Sequence, residues 1–270
     1  MPRRNFSLQQ LRRDNAWLIS HLYQSGAYVE GLIPEDIRKK AIINLDLSTN
    51  NPEILAANAQ TDFLGSIRRQ FSSSEALIGV SAHAEKRMHF GLGKEMTHLG
   101  LDVFSVEDFP VLSPINGTLY AVQGDGTGRE VKIVLQHRLG TLKFYTVFNH
   151  LSEMTRIPRR PGELVRAGES LGLASTSLCH CAGLSQFHFM IVLEAKEEPF
   201  EVPEYIETRY ENYFLALCPD PTALLGRPDP TPRRLRSVEP LRINPVTNRP
   251  YRSLRAQGLC KVVSHMKRFY

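Results

Sequence analysis

Short segments rich in β-forming residues follow one another along the middle of the chain, and no helical stretch of ordinary length separates them. These segments are 111–122, 130–137, 141–148 and 186–194. In the second of them, the apolar residues Val131, Ile133 and Leu135 recur at every other position, which is the period of a strand. Parallel strands need a crossover of about a dozen residues or more, usually a helix, so antiparallel pairing is favoured. The sequence therefore predicts a mainly antiparallel β domain.

The N-terminal part of the chain carries helix-start signals instead. Ser7 followed by Gln10 fits a capping box, Pro34 precedes two acidic residues, and Asn51 precedes a proline. Apolar residues at helical spacing follow these signals. We predict a helical N-terminal region over residues 1–75 and therefore an α+β chain.

Composition supports a folded chain of several parts. The 270 residues are 42% hydrophobic with a formal net charge of only +5, which excludes disorder of the whole chain. We predict four segments: a helical region at 1–75, the β domain at 76–196, a helical and turn extension at 197–228, and a basic, proline-rich tail at 229–270. The last boundary follows turn residues around Pro228.

The positive charge is concentrated in the tail. Residues 229–270 contain ten Lys plus Arg against two acidic residues, a net charge of +8 in a chain whose total is +5. Such a segment attracts polyanions such as nucleic acid, cell-wall polymer or anionic lipid. The other interpretation is a solvated, proline-rich end, because no recognisable nucleic-acid motif accompanies the arginines.

Membrane, export and disulfide features are missing from the sequence. No window approaches the roughly 18–20 consecutive apolar residues of a membrane span, and the first ten residues contain no apolar signal core. We therefore expect a cytoplasmic protein without a membrane span. Four cysteines do not resemble a secreted disulfide framework. The cluster Cys179-His180-Cys181 is either a supplementary metal or redox site or a loop with reduced thiols.

Two groups of residues are candidates for a functional site. His98 and Asp102 are four residues apart, so on one strand they would share a face, with Gly100 between them adding no side chain. One imidazole and one carboxylate suit zinc. In the segment from Gln186, the polar Gln186 and His188 take the face opposite to Phe187, so they are placed to line a groove.

His150 is a third candidate. It follows the alternating segment 141–148, and a histidine at a strand end can lie at the rim of a cleft. There it would transfer protons with a pKa near the working pH.

The order of these residues resembles that of the lysostaphin-like zinc endopeptidases, which cut peptidoglycan peptides. That family shows His-x-Gly-x-Asp, a Pro-Val segment ending in Gly-x-Val, Tyr-x-His-Leu, a glycine-rich hairpin and His-x-His-Phe. The corresponding segments here, in the same order, are 98–102, 110–117, 148–151, 162–172 and 186–189. The helical start and the basic end lie outside the resemblance.

The resemblance implies a lysostaphin-like peptidase domain at 76–196 in which His98, Asp102 and His188 bind Zn²⁺. It further implies that His150 is a catalytic histidine, which moves a proton or stabilises the oxyanion. Three protein ligands leave a fourth position for water, so the implied activity is hydrolysis of a peptide or peptidoglycan substrate.

One position departs from the family pattern. The first histidine of His-x-His is Gln186 here, and the resemblance gives that position a share in proton transfer and oxyanion binding. Glutamine donates a hydrogen bond but takes no proton near neutral pH. Loss of a general acid or base typically costs about 10²–10⁴ in rate. The alternative to an enzyme is therefore a catalytically impaired, zinc-binding pseudopeptidase that acts as a binding module.

Overall fold

The computed structural model describes residues 7–24, 31–38, 42–57, 60–72, 74, 76–89, 91–124, 126, 129–152, 160–175, 184–195 and 198–226. Two predicted features lie outside these residues, namely the cluster Cys179-His180-Cys181 and the basic tail at 229–270. No helix among the residues described is both long and apolar enough to cross a membrane.

The described residues include five α-helices. They are α1 (Leu8–Gln24), α2 (Glu35–Arg38), α3 (Pro52–Leu55), α4 (Gln60–Ser72) and α5 (Glu211–Leu217). The predicted start signals are confirmed at the first and third helices. The Ser7 hydroxyl accepts the backbone N–H of Gln10 at 3.1 Å, and the Asn51 side chain accepts that of Glu53 at 3.0 Å. Each contact satisfies one of the amides that a helix start leaves unpaired.

The described residues also include thirteen strands. They are β1 (Ile42–Asn44), β2 (Ile78–Val80), β3 (Glu85–His89), β4 (Lys94–His98), β5 (Leu101–Ser105), β6 (Pro110–Leu112), β7 (Gly117–Gly124), β8 (Glu130–Leu139), β9 (Leu142–Ser152), β10 (Leu164–Val165), β11 (Ser170–Leu173), β12 (Ser185–Leu193) and β13 (Tyr205–Ile206). All four predicted β segments contain strands.

The strands form three sheets. The largest has eight strands in the order β1-β2-β5-β12-β9-β8-β7-β10, and the smaller ones are β11-β6 and β13-β4-β3. Every strand pair is antiparallel except β1 with β2. The predicted α+β class with a mainly antiparallel sheet is confirmed.

Two stretches differ from the helical prediction. Within the region 1–75, Ile42 and Ile43 form a strand that pairs in parallel with β2, because β-branched residues suit a sheet edge better than a helix. Within the predicted helical and turn extension at 197–228, Tyr205 and Ile206 instead pair with β4, and α5 begins only at Glu211. The boundaries of the four predicted segments stay a prediction.

Two hydrophobic clusters bury opposite faces of β5. The larger cluster contains Leu101 and Val103, and the smaller contains Phe104. The smaller cluster consists of Leu45, Leu47, Ile54, Ala57, Phe63, Leu64, Ile67, Phe71, Phe104 and Leu184. Because helices α3 and α4 supply much of it, the N-terminal region covers the face of β5 on which Asp102 also lies. Every residue of β5 is therefore buried.

We expect Leu47→Ala to destabilise the protein by about 2–5 kcal/mol, because it removes a fully buried side chain from the smaller cluster and leaves a cavity. Leu55→Ala is the matched control, since Leu55 is 55% exposed, and it should change the free energy of unfolding by less than about 0.5 kcal/mol. Urea unfolding measures both. Equal effects of the two substitutions would contradict this packing.

Candidate metal centre

Three strands bring His98, Asp102 and His188 together. His98 ends β4, Asp102 lies in β5 and His188 lies in β12, directly opposite Asp102 in the antiparallel register. Directly opposed residues of antiparallel strands place their side chains next to each other on one face. One potential ligand atom from each residue lies within 4.8 Å of the other two. The three predicted metal ligands therefore form one cluster.

The spacing of the individual atoms suits a small ion. Nδ1 of His188 lies 3.0 Å from Oδ1 of Asp102, and Nε2 of His98 lies 3.3 Å from Oδ2 of Asp102. Ligand atoms at zinc distances of about 2.0–2.2 Å stand about 3.3–3.6 Å apart in a tetrahedron. The side chains need little movement to share one ion.

The buried histidine nitrogens provide a further test of the donor set. Both ring nitrogens of His98 and Nε2 of His188 are buried with no hydrogen-bond partner among the residues described. His98, Asp102 and His188 are only 1%, 4% and 0% exposed. Buried polar atoms without partners are costly and uncommon. A bound cation would satisfy Nε2 of His98, the nitrogen that faces Asp102, so the residues present fit a metal.

The protonation states also fit. Burial lowers the pKa of His98 to about 4, helped by the positive charge of Arg87, so this imidazole is neutral at pH 7. Burial by itself would raise the pKa of Asp102, but the neighbouring His98 and the positive charge of Arg87 hold it well below its ordinary value. A neutral imidazole and an ionised carboxylate are the forms that bind metal ions.

The predicted placement of His98 and Asp102 on one strand is wrong. The chain bends between them at Gly100, whose φ of +83° lies in the left-handed region, so the two residues belong to strands of different sheets. A Cβ atom at Gly100 would lie 2.5 Å from the carbonyl oxygen of Phe189 and 2.8 Å from Nε2 of His188. The backbone N–H of Gly100 donates to Nδ1 of His83 at 2.9 Å. Glycine is required here for both conformation and space.

Strand β12 is more deeply buried than the sequence indicated. Phe187 is fully buried, as expected, but His188 and Met190 on the opposite face are fully buried too. Only Gln186, two residues before His188, is partly exposed. Its backbone pairs with Phe104 on one side and exchanges two hydrogen bonds, of 2.9 and 3.0 Å, with Ser175 on the other. The expected groove therefore does not extend along the strand past Gln186, because side chains cover both faces.

His150 lies beside this cluster in an unusual backbone conformation. Its φ of +61° is rare for a residue with a side chain, and a bulge in the β8–β9 pairing, between Val131 and Ile133, lies opposite it. Nδ1 of His150 lies 2.7 Å from Oε2 of Glu130, and Nε2 lies 3.6 Å from Oε1 of Glu204. The imidazole is thus held between two carboxylates.

This placement changes the expected protonation of His150. Burial would lower its pKa, but the charges of Glu204 and Glu130 outweigh burial and raise the pKa to about 10. The expectation of a pKa near the working pH is therefore wrong. His150 is an imidazolium at neutral pH. Its Nδ1 donates a hydrogen bond to Glu130, and its Nε2 faces Glu204 at ion-pair distance.

Two further side chains were not predicted from the sequence. Glu204 accepts a short hydrogen bond from the amide of Asn149, the residue paired with His188 in the β12–β9 register. The backbone carbonyl of Glu204 also accepts the N–H of Leu99 at 2.7 Å. Burial would raise the pKa of Glu204, but the neighbouring His188 and the imidazolium of His150 hold it well below its ordinary value. Glu204 is therefore ionised at the edge of the cluster.

Arg87 is the other residue that sequence reasoning missed. Its guanidinium pairs with Oδ2 of Asp102 through a short contact and with Oε2 of Glu85 at 2.7 Å. Arg87 is only 1% exposed. No motif marks this residue, since Asp102, its partner in the cluster, lies 15 residues further along the chain.

No protein-family model matches the chain, and no curated protein matches it in sequence. Several solved structures do match. The antimicrobial peptidase lysostaphin from Staphylococcus simulans is 18% identical over 56% of this chain and 52% of its own, with a TM-score of 0.38. A structure of its catalytic domain is 18% identical over 48% of this chain and 80% of its own, with a TM-score of 0.33. The SpoIIQ–SpoIIIAH pore-forming complex is 21% identical over 34% of this chain and 56% of its own, with a TM-score of 0.27. The chain thus spans about half the length of the lysostaphin structure, 52%.

We expect Gly100→Ala to destabilise the protein more than Gly126→Ala does. Both glycines have nearly the same positive φ, but a Cβ at Gly126 meets nothing within 4 Å. The control should therefore carry only the backbone cost of about 1–2 kcal/mol, while Gly100→Ala adds an overpacking cost of about 1–3 kcal/mol. Urea unfolding measures the difference. A smaller loss at Gly100 than at Gly126 would show that the bend is not packed against His188.

We expect the ring NMR signals of His150 to stay constant between about pH 6 and pH 8 and to titrate near 10. In Glu130→Gln, the midpoint should move toward the ordinary value of 6.5, because one of the two carboxylates that raise the pKa has become neutral. The pKa of folded His150 is above its unfolded value. Its contribution to stability is therefore full below about pH 6.5 and declines until the pH passes about 10.

Glu53→Gln, at an exposed ion pair with Arg69, is the control for this titration. It should leave the His150 midpoint unchanged. A wild-type midpoint between about pH 6 and 7 would contradict the arrangement of His150 between Glu130 and Glu204.

Proposed function

We propose that this chain is a zinc-dependent hydrolase that cleaves peptide bonds, with cell-wall-type peptides as its substrate class. The observation that carries the proposal is the meeting of His98, Asp102 and His188, from three strands, with potential ligand atoms within 4.8 Å. Three protein ligands are the number that catalytic zinc sites use, because the fourth position stays open.

The donor set favours zinc over other common ions. Two imidazoles and one carboxylate resemble the His₂Glu sites of zinc peptidases, whereas calcium and magnesium prefer oxygen ligands only. A bound zinc ion supplies Lewis-acid chemistry, polarising a carbonyl group and lowering the pKa of water to about 7. Neutral His98 and ionised Asp102 are ready to hold such an ion.

His150 supplies the positive hydrogen-bond donor of the proposed reaction. Its imidazolium, fixed at Nδ1 by Glu130, points Nε2 toward Glu204. A fixed cationic donor stabilises a developing oxyanion. Of the two roles that the resemblance implied, stabilisation of the oxyanion therefore agrees better with the raised pKa than proton acceptance does.

The proposed site lacks a good general base. Gln186 takes no proton, and Glu204 is a carboxylate whose low pKa makes it a poor base. A missing general base typically costs about 10²–10⁴ in rate. We therefore expect slow hydrolysis rather than the full rate of a peptidase with a complete set of histidines.

The substrate class rests on the order of motifs between His98 and Phe189, and the polyanion contact on the charge of the basic tail. Cell-wall peptides attached to an anionic polymer would engage both parts of the chain. The tail lies outside the described residues, so its contact with such a polymer stays a prediction.

We expect the purified protein to contain about one zinc per chain and to cleave peptidoglycan or short peptides in a manner that a chelator abolishes. His188→Ala should lose both the zinc and the cleavage, because it removes one of three ligands. His21→Ala is the matched control, since this histidine stacks on Trp17 of α1 and, within the described part of the chain, belongs to no cluster of potential metal ligands. Equal zinc retention in the two variants would exclude the proposed centre.

We expect Gln186→His to raise the rate of cleavage, by up to the 10²–10⁴ that a general acid or base contributes. The measurement compares its kcat/KM with that of the wild type. Zinc binding without cleavage in either protein would instead favour the pseudopeptidase, a binding module that keeps the metal.

A further inference from the structure

Arg87 joins the candidate metal centre to the N-terminal layer through a chain of buried contacts. The backbone N–H of Leu47 donates to Oε1 of Glu85 at 3.0 Å, and the opposite carboxylate oxygen accepts Nε of Arg87 at 2.7 Å. Nη1 of Arg87 then donates to Oδ2 of Asp102. Leu47 lies in the smaller hydrophobic cluster, so this series of contacts starts from a well-packed backbone.

The planar guanidinium of Arg87 fixes the relative direction of its two contacts. Arg87 binds Glu85 through Nε and Asp102 through Nη1, and these two groups belong to one rigid plane. The contact with Glu85 therefore sets the direction in which Nη1 points. Arginine offers donors only, so Arg87 cannot itself become a ligand of a cation.

The two oxygens of Asp102 have different partners as a result. Oδ2 binds Arg87 and faces Nε2 of His98 at 3.3 Å, while Oδ1 lies 3.0 Å from Nδ1 of His188. Rotation of the carboxylate would separate at least one oxygen from its histidine. The contact with Arg87 opposes that rotation.

We infer that Arg87 is a positioning residue of the proposed zinc centre, which fixes the carboxylate of Asp102 in the orientation shared with His98 and His188. The inference rests on the proposed function, because it concerns the same metal. Partners that orient metal ligands typically account for about 10–100-fold in metal affinity.

The positive charge of Arg87 would also repel a bound cation. The experiment must distinguish this repulsion from the orientation of Asp102. If Arg87 acted only through its charge, its removal would relieve repulsion and strengthen zinc binding. If it acts by orienting Asp102, its removal weakens zinc binding. The sign of the change therefore distinguishes the two roles.

The test measures zinc affinity of the full chain by competition with a chromophoric chelator near pH 7. Arg87→Met should bind zinc about 10–100-fold more weakly than the wild type. Arg87→Lys keeps the charge but lacks the fork that contacts Glu85 and Asp102 together, so it should also lose affinity. Arg69→Met is the matched control, because the Arg69 side chain is 62% exposed, and it should bind zinc as tightly as the wild type.

A second variant and a second readout guard against misfolding. Glu85→Gln preserves the volume of the side chain but weakens its hold on Arg87, so a smaller, several-fold loss of zinc affinity is expected. Co²⁺ bound in place of zinc reports the ligand arrangement through its visible absorption. That spectrum should change in folded Glu85→Gln and stay unchanged in Arg69→Met.

The outcomes separate this inference from the proposed function. If the wild type binds zinc and Arg87→Met or Glu85→Gln binds it equally well or more tightly, the positioning role of Arg87 is overturned. The proposed function is then unaffected. Wild-type protein that binds no zinc overturns the proposed function and this inference with it. Weaker binding in both variants with an unchanged control supports the positioning role.

Discussion

The antiparallel pairing of β12 with β5, in the register that sets His188 opposite Asp102, is the contact on which the candidate site depends. A shift of one residue would turn His188 to the other face and put Phe187 or Phe189 beside the carboxylate. The register is fixed by burial, because Phe187 and Phe189 belong to the larger core on one face while Phe104 packs in the smaller core on the other. Ordinary hydrophobic packing thus determines where the polar cluster forms.

Neighbouring side chains, acting against burial, then determine the charges of the cluster. Asp102 is ionised because His98 and Arg87 surround it, and His150 is protonated because Glu130 and Glu204 flank it. The two parts of the site therefore have opposite arrangements: one carboxylate among cationic and imidazole groups, and one imidazolium between carboxylates. Each ionised group has a partner of opposite charge, which is the condition under which a buried charge is tolerated.

Local patterns in the sequence predicted the parts of the fold that local physics controls. The capping residue Ser7 and the alternation around Ile133 depend on near neighbours, and the structure shows the helix and the strand they indicate. The placement of His98 and Asp102 on one strand failed because spacing alone does not reveal that Gly100 adopts a positive φ.

The partners of the site residues required the fold itself. Arg87 contacts Asp102 across 15 residues of sequence, His150 contacts Glu130 across 20, and Glu204 contacts Asn149 across 55. None of these pairs has a characteristic spacing, because sheet pairing rather than local geometry brings them together. Spacing and residue type indicated His98 and Asp102, but His188 was added to them only because the order of five motifs resembled that of a known family.

X-ray absorption spectroscopy of the zinc-loaded protein tests the central claim most directly, because it identifies the atoms around the ion. We predict nitrogen and oxygen neighbours at about 2.0–2.2 Å, from two imidazoles and one carboxylate, with no sulfur. Sulfur neighbours at about 2.3 Å would instead place the zinc at cysteines such as Cys179 and Cys181 and would contradict the account.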